Sequence, residues 1–153
     1  AERMHVFDAQ RKFLRQWGTH GDRPGEFSRA MSLTIVRDRL YVADTANHRI
    51  QCFTLDGKLT HSIGGLGAGP GNLKFPHDIA RAPDDTLVIC EYGNNRLSRF
   101  ARDGKFIATL GGPGRGYGEF NAPRGLTVSP QGTVFVADTD NDRVQRFRLE
   151  DLA

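Results

Sequence analysis

One phrase of this 153-residue chain is written three times and a fourth time in part. YVADTANHRIQCF runs from Tyr41 to Phe53, VICEYGNNRLSRF from Val88 to Phe100, and FVADTDNDRVQRF from Phe135 to Phe147, while ERMHVF stands at Glu2 to Phe7. The closing residues Phe7, Phe53, Phe100 and Phe147 lie 46, 47 and 47 positions apart, and Arg3, Arg49, Arg96 and Arg143 keep the same steps. The acids Asp44, Glu91 and Asp138, the asparagines Asn47, Asn94 and Asn141, and the pairs Gly25/Phe27, Gly71/Leu73 and Gly118/Phe120 stay in phase. A fixed period constrains the fold more than composition does. Each unit must be one supersecondary element whose apolar face is buried by its neighbours.

Inside the period four short apolar runs alternate with turn signals. In the middle unit they are HDIARA (77–82), TLVIC (86–90), RLSRFA (96–101) and KFIATL (105–110). Their length, alternation and β-branched or aromatic content predict strands. Asp56-Gly57 and Asp103-Gly104 are hairpin turn dipeptides. No ten-residue helical pattern with caps is found. Four antiparallel strands every ~45 residues predict a propeller blade.

The stretch GEFNAPRGLTVSPQGTVFVADTDNDRVQRF (118–147) resembles the NHL repeat nearly end to end, and the resemblance extends from Arg3 to Leu149. It implies an all-β fold, a β-propeller of four-stranded antiparallel blades, with about three blades in this single domain of residues 1–153. With strands lettered A to D from channel to rim, the chain supplies C and D first (RMHVFD, KFLRQW). Two blades follow at about 27–64 and 74–111, then A, B and C (GLTVS, TVFVA, RVQRFR). The units are 1–18, outer strands of a shared blade; 19–65 and 66–112, whole blades; and 113–153, inner strands of a shared blade. Three blades fall below the ~4–8 of known propellers, and open blades expose apolar faces and strand edges. The family usually builds six blades, so the expectation is a homodimer that completes a six-bladed ring. Arg3–Asp8 and Arg143–Arg148 compete for one third-strand place, which the sequence leaves open. The alternative is a fragment of a longer six-repeat protein.

Bulk properties exclude little. Hydrophobic residues make up 38% and charged residues 25%, a globular composition. No apolar run approaches the ~20 residues of a membrane helix, so no membrane partner is expected. No basic-then-apolar signal segment opens the chain, which leaves it either mature or cytosolic and its localisation unknown. A net charge of +3 permits an acidic partner without requiring one. Cys52 and Cys90 sit at unequal repeat positions and read as apolar strand residues, not as a disulfide framework.

Residues that recur in every copy read as structure. The acid ending the second strand and the arginine opening the third flank one turn, where they can pair or satisfy turn amides. Function belongs where the copies differ. Met31, His77 and Arg124 share one repeat position at the start of the innermost strand. They are the expected site for a protein, peptide or small ligand at the channel mouth, with channel filler as the competing reading. A nucleic-acid reading uses Arg23, Arg29, Lys74, Arg115 and Tyr117, which lie in loops leading to that strand. FPHDIA (75–80) and NHRIQCF (48–53) resemble the peptide-amidating lyase branch of the family, and the resemblance places His77 where that branch holds a zinc ligand. Met31 and Arg124 are not such ligands. His5, His20, His48 and His61 are expected on outer strands or loops, far from the channel.

No glycine-flanked serine elbow is present, and neither cysteine has a histidine neighbour by position. The loops GGLGAGPGN (64–72) and GGPGRGYGEF (111–120) read as blade connections, not phosphate cradles. Asp84-Asp85 and Asp140/Asp142 read as solvated turn acids, with calcium as the alternative. The sequence therefore predicts a non-enzymatic binding or scaffold module without a cofactor. The alternatives are an RNA-binding propeller and a zinc-dependent amidating-lyase-like enzyme.

Overall fold

The computed structural model describes residues 2–153. Its elements in chain order are β1 (Met4–Phe7), β2 (Phe13–Trp17), β3 (Ala30–Val36), β4 (Arg39–Asp44), β5 (Arg49–Thr54), β6 (Leu59–Gly64), β7 (Pro76–Arg81), β8 (Leu87–Glu91), β9 (Arg96–Phe100), β10 (Phe106–Leu110), β11 (Gly125–Val128), β12 (Thr133–Asp138) and β13 (Arg143–Arg148). Short 3-10 turns cover Thr45–Asn47, Thr139–Asn141 and Leu149–Leu152. The four strands expected in the middle unit appear within a residue or so of their sequence bounds.

The strands form two whole blades, β3-β4-β5-β6 and β7-β8-β9-β10, flanked by the pair β1-β2 and the three-stranded sheet β11-β12-β13. Every pairing is antiparallel. Each middle strand is apolar on both faces because each face meets a neighbouring sheet. Between the two whole blades lie Tyr41, Ala43, Ile50 and Cys52 of one and Ile79, Leu87 and Ile89 of the other. Val88, Cys90 and Leu97 meet Val134, Val136 and Phe147 at the next junction. Met4 and Trp17 lie against Leu40, Val42 and Phe53, which seats β1-β2 on the first whole blade.

β13 takes the third place beside β12 along the length of both strands, whereas β1 pairs only with β2. The turn after β13 is anchored from the middle blade. Arg99 donates from Nη1 to the carbonyls of Leu149 (3.2 Å) and Leu152 (2.9 Å), and the Leu152 side chain is buried.

The repeated acid and arginine do two jobs at once. Asp44 accepts the Ser28 N–H at 2.7 Å and the Arg49 Nε–H at 2.8 Å. Glu91 accepts from Lys74 N and Arg96 Nε at 3.0 and 2.7 Å, and Asp138 from Asn121 N and Arg143 Nε at 2.8 and 2.7 Å. The repeat asparagine adds Nδ2 to the same carboxylates. All three acids are buried. A buried carboxylate without donors is strongly disfavoured, so the arginine and loop amide are the conditions of its presence. Each arginine also reaches the carbonyls of the preceding loop, tying strand to connection.

Candidate functional site

Antiparallel order puts the turns between second and third strands, and the loops between blades, at one end of the sheets. The innermost strands β3, β7 and β11 run side by side. Asp78 pins them: it accepts from Ser32 Oγ at 2.5 Å on one side and from Leu126 N at 2.7 Å on the other. Met31 and His77 each fall at a break in register, between Ala30 and Ser32 and between Pro76 and Asp78. Such a bulge re-aims the extra residue's side chain away from the regular pleat.

His77 turns toward the third copy. A carbonyl only accepts, so the 2.8 Å contact to the Arg124 carbonyl means that His77 Nδ1 donates there. Nε2 is left free of that bond. The Arg124 guanidinium lies 5.3 Å from the Tyr92 ring centroid, within cation–π range. Thr45 Oγ1 donates to the Pro76 carbonyl at 2.6 Å and closes the floor between blades. Together Arg29, Thr45, Phe75, His77, Tyr92 and Arg124 line a cavity of about 210 Å³. Two arginines and a histidine line it, and no carboxylate does.

Of the three expected mouth residues, the structure brings His77 and Arg124 together. Met31 is exposed on β3 and does not line this cavity. Arg29, read from the sequence as part of a basic face, belongs here instead. The other members of that face are dispersed. Lys74 borders an adjoining depression that shares Phe75 and Tyr92 with the cavity and that Asp140 also lines, and Arg115 lies in another with Asp140 and Asp142. Tyr117 donates its hydroxyl to the Arg146 carbonyl at 3.0 Å, and its ring lies 5.3 Å from that of Phe147. Arg23 offers its carbonyl to Arg49 in the first whole blade's loop.

The sequence reading missed Thr45, Phe75 and Tyr92. A signal for two of them was available, because both positions differ between copies. Tyr92 stands where the other copies carry Thr45 and Thr139, and Phe75 where they carry Arg29 and Ala122. Arg29, Phe75 and Ala122 all have positive φ, 56°, 48° and 50°. The expectation that His48 lies far from the channel is corrected. Its ring centroid is 4.3 Å from that of Phe75, and its Nδ1 accepts the Phe75 N–H at 3.0 Å. A left-handed backbone at His48 (φ 57°) places the side chain across the junction, onto the neighbouring blade.

The donor set does not fit a zinc centre. A catalytic zinc takes about three protein ligands. His77 is the single imidazole in the cavity, and among the described residues no three His, Cys, Asp or Glu side chains gather as a metal would require. Nor is a cysteine nucleophile at hand. Burial first, then the nearby charges of Asp78, Glu91 and Asp138, push the Cys90 thiol far above its ordinary range. A larger groove of about 660 Å³ lies at the opposite end of the sheets. Its charges are mixed: Arg37, Arg39 and Arg102 line it beside Asp84, Asp85 and Asp103, and Arg37 pairs with Asp85.

Comparison with known proteins gives the same architecture. Part of the chain is 45% identical over 62 residues to rat peptidylglycine alpha-amidating monooxygenase, covering 37% of this chain and 6% of that protein. A streptogramin B lyase structure superposes on 97% of this chain and 48% of its own with a TM-score of 0.69 at 17% identity. A virginiamycin B lyase from Staphylococcus aureus, solved with quinupristin, gives 0.67 at 18% identity over 97% of this chain and 49% of its own. This chain thus spans about half the length of these structures, and at such identities they establish the fold alone. The model of the NHL repeat matches residues 27–53, 73–100 and 120–147, more than half of the chain. The chain is a member of the NHL-repeat family, folded as β-propeller blades.

Proposed function

We propose that this chain is a non-enzymatic ligand-binding module whose site is the cavity at the channel mouth, and that the site takes a small anionic group carried on an apolar or aromatic body. One observation carries the reading: Arg29, His77 and Arg124 converge from three successive repeats on a cavity that no carboxylate lines. Several of the chain's other arginines are matched by acids, as Arg49 is by Asp44 and Arg96 by Glu91. Positive charge gathered without an internal partner favours an external anion, and a guanidinium can hold a carboxylate with two parallel hydrogen bonds. Tyr92 and Phe75 supply the flat apolar wall, their ring centroids 6.5 Å apart. The volume admits an anionic group and a few further heavy atoms, so a longer ligand would enter by one end.

Calorimetric titration with benzoate tests this. Binding is expected to weaken by about tenfold in Arg124→Ala and in Arg29→Ala, the scale of one lost charge-assisted contact. Arg115→Ala, in a different depression beside Asp140 and Asp142, should leave the affinity unchanged. Equal benzoate affinity in the wild type and both arginine variants would overturn the reading, as would an absence of binding.

A further inference from the structure

The residue just before each third strand repeats a contact between blades. Glu2, His48, Asn95 and Asp142 occupy this one repeat position. Asn95 Oδ1 accepts the Ala122 N–H at 2.8 Å, and His48 Nδ1 accepts the Phe75 N–H at 3.0 Å. Glu2 reaches the first whole blade one residue further on, accepting the Ala30 N–H at 3.3 Å. The amides at Phe75 and Ala122 belong to residues held at positive φ, a conformation that needs support from its surroundings. The side chain arriving from the preceding blade supplies it.

We propose that His48 is a proton-sensitive latch on the wall of the channel-mouth site, holding Phe75 in place while its Nδ1 is unprotonated and releasing it on acidification. The regulatory role rests on the reading of that cavity as the ligand site; the latch itself does not. A backbone N–H only donates, so the observed contact requires a lone pair on Nδ1. Protonating Nδ1 turns the acceptor into a donor and sets two N–H groups against each other. The acceptor in the next blade is an amide, which does not titrate, and the one before is a carboxylate. Imidazole alone among the three changes state near neutral pH.

The surrounding charges work in the same direction. Lys74, adjacent to Phe75 in the chain, is the cation beside the ring. Asp44 in the turn leading to His48 and Glu91 on the facing blade are already engaged by Arg49 and Arg96. The other groups around Phe75 are the phenol of Tyr92, the carboxylate of Asp140 in the adjoining depression and, across the cavity, His77, Arg29 and Arg124. Among the described residues no carboxylate forms an ion pair with the His48 ring, and Lys74 is the charge that acts on it. Burial first, and Lys74 second, hold His48 below its ordinary pKa. A histidine with a lowered folded-state value gives stability that is present above about pH 6.5 and is lost as the pH falls below it. Release of Phe75 loosens the aromatic wall, so acid is expected to weaken ligand binding through His48.

The molecule contains its own control in Ala122. We expect the hydrogen-exchange protection factor of the Phe75 amide to fall by about tenfold from about pH 8 to about pH 5, the scale of one lost hydrogen bond. Ala122, held by Asn95, should keep its protection. His48→Asn, which copies the middle blade's own solution, should remove the pH dependence at Phe75. Benzoate affinity, measured in parallel, should decline more with acid in the wild type than in His48→Asn. A protection factor at Phe75 that tracks Ala122 across the range overturns the latch in the wild type alone, whatever the variant does. A pH-dependent Phe75 amide with benzoate affinity that declines equally in both proteins leaves the latch standing and overturns its control of the site. A complete absence of benzoate binding strikes the ligand reading and with it that control, without touching the exchange result.

Discussion

The junction between the two whole blades and the outer face of β11-β12-β13 are written with the same repeat residues but live in different environments. Tyr41 and Val88 are 1% and 0% exposed, whereas Phe135, their counterpart, is 39% exposed. Ile50 and Leu97 are fully buried, while Val144 is 69% exposed. On the other flank Met31, Leu33 and Ile35 of β3 are exposed where Ile79 of β7 is buried. In a solenoid-like array, burial is a property of having a neighbour, not of the residue. The same side chain is core in the middle and surface at the end.

Substitution at matched positions should expose the contrast. Leu97→Ala removes a fully buried side chain and is expected to lower unfolding stability by about 3 kcal/mol in denaturant titration. Val144→Ala, at the equivalent exposed position, should change it by less than about 0.5 kcal/mol. Comparable losses at both sites would mean that the outer face of β13 is covered in solution. Next in size comes the buried ion pair. Arg96→Ala leaves Glu91 with its loop and hydroxyl donors but no guanidinium, a loss of about 2 kcal/mol. Arg143→Ala should cost about half as much, because the Arg143 side chain is already 31% exposed beside Asp138.

The smallest effect is in acid. Burial raises the Asp138 carboxyl, but donors from Asn121 N, Asn141, Arg143 and Gln145 outweigh it and leave the group below its ordinary value. A lowered folded-state pKa gives stability that is present above about pH 4 and lost as the pH falls further. Thermal midpoints followed downward from pH 4 should decline, and Asp138→Asn should make that decline shallower. An unchanged slope would remove Asp138 from the set of groups that set acid stability.

Much of this architecture was legible in the chain, for a physical reason. Strand boundaries follow from alternation and turn dipeptides, and in the middle unit runs such as RLSRFA differ from the observed strand by one residue. The pairing of Asp44, Glu91 and Asp138 with their arginines was readable because a charge that must be buried in every copy must be answered in every copy. His77 and Arg124 were readable because they differ at one shared position. Phe75 and Tyr92 escaped because they sit at other repeat positions, and the cavity forms only when neighbouring blades bring those positions into one space. His48 escaped for a related reason. Its contact spans 27 residues and depends on a left-handed backbone that no residue preference at histidine announces. Arg29 shows the reverse case, with the charge noticed but its neighbourhood misplaced. Third-strand occupancy was undecidable from the sequence because Arg3–Asp8 and Arg143–Arg148 carry the same pattern; the anchoring of Leu149–Leu152 by Arg99 comes from outside that pattern.

The account turns on the claim that the differences among copies at the channel mouth make one anion-binding cavity. Amide chemical shifts recorded during a benzoate titration address it most directly. The account predicts saturable shifts at Phe75, His77, Tyr92 and Arg124, abolished in Arg124→Ala, with Cys52 and Leu97 on the outer strands undisturbed. Shifts that centre on the groove at the opposite end, around Arg37 and Arg102, or that spread over the basic loops without saturating, would contradict it.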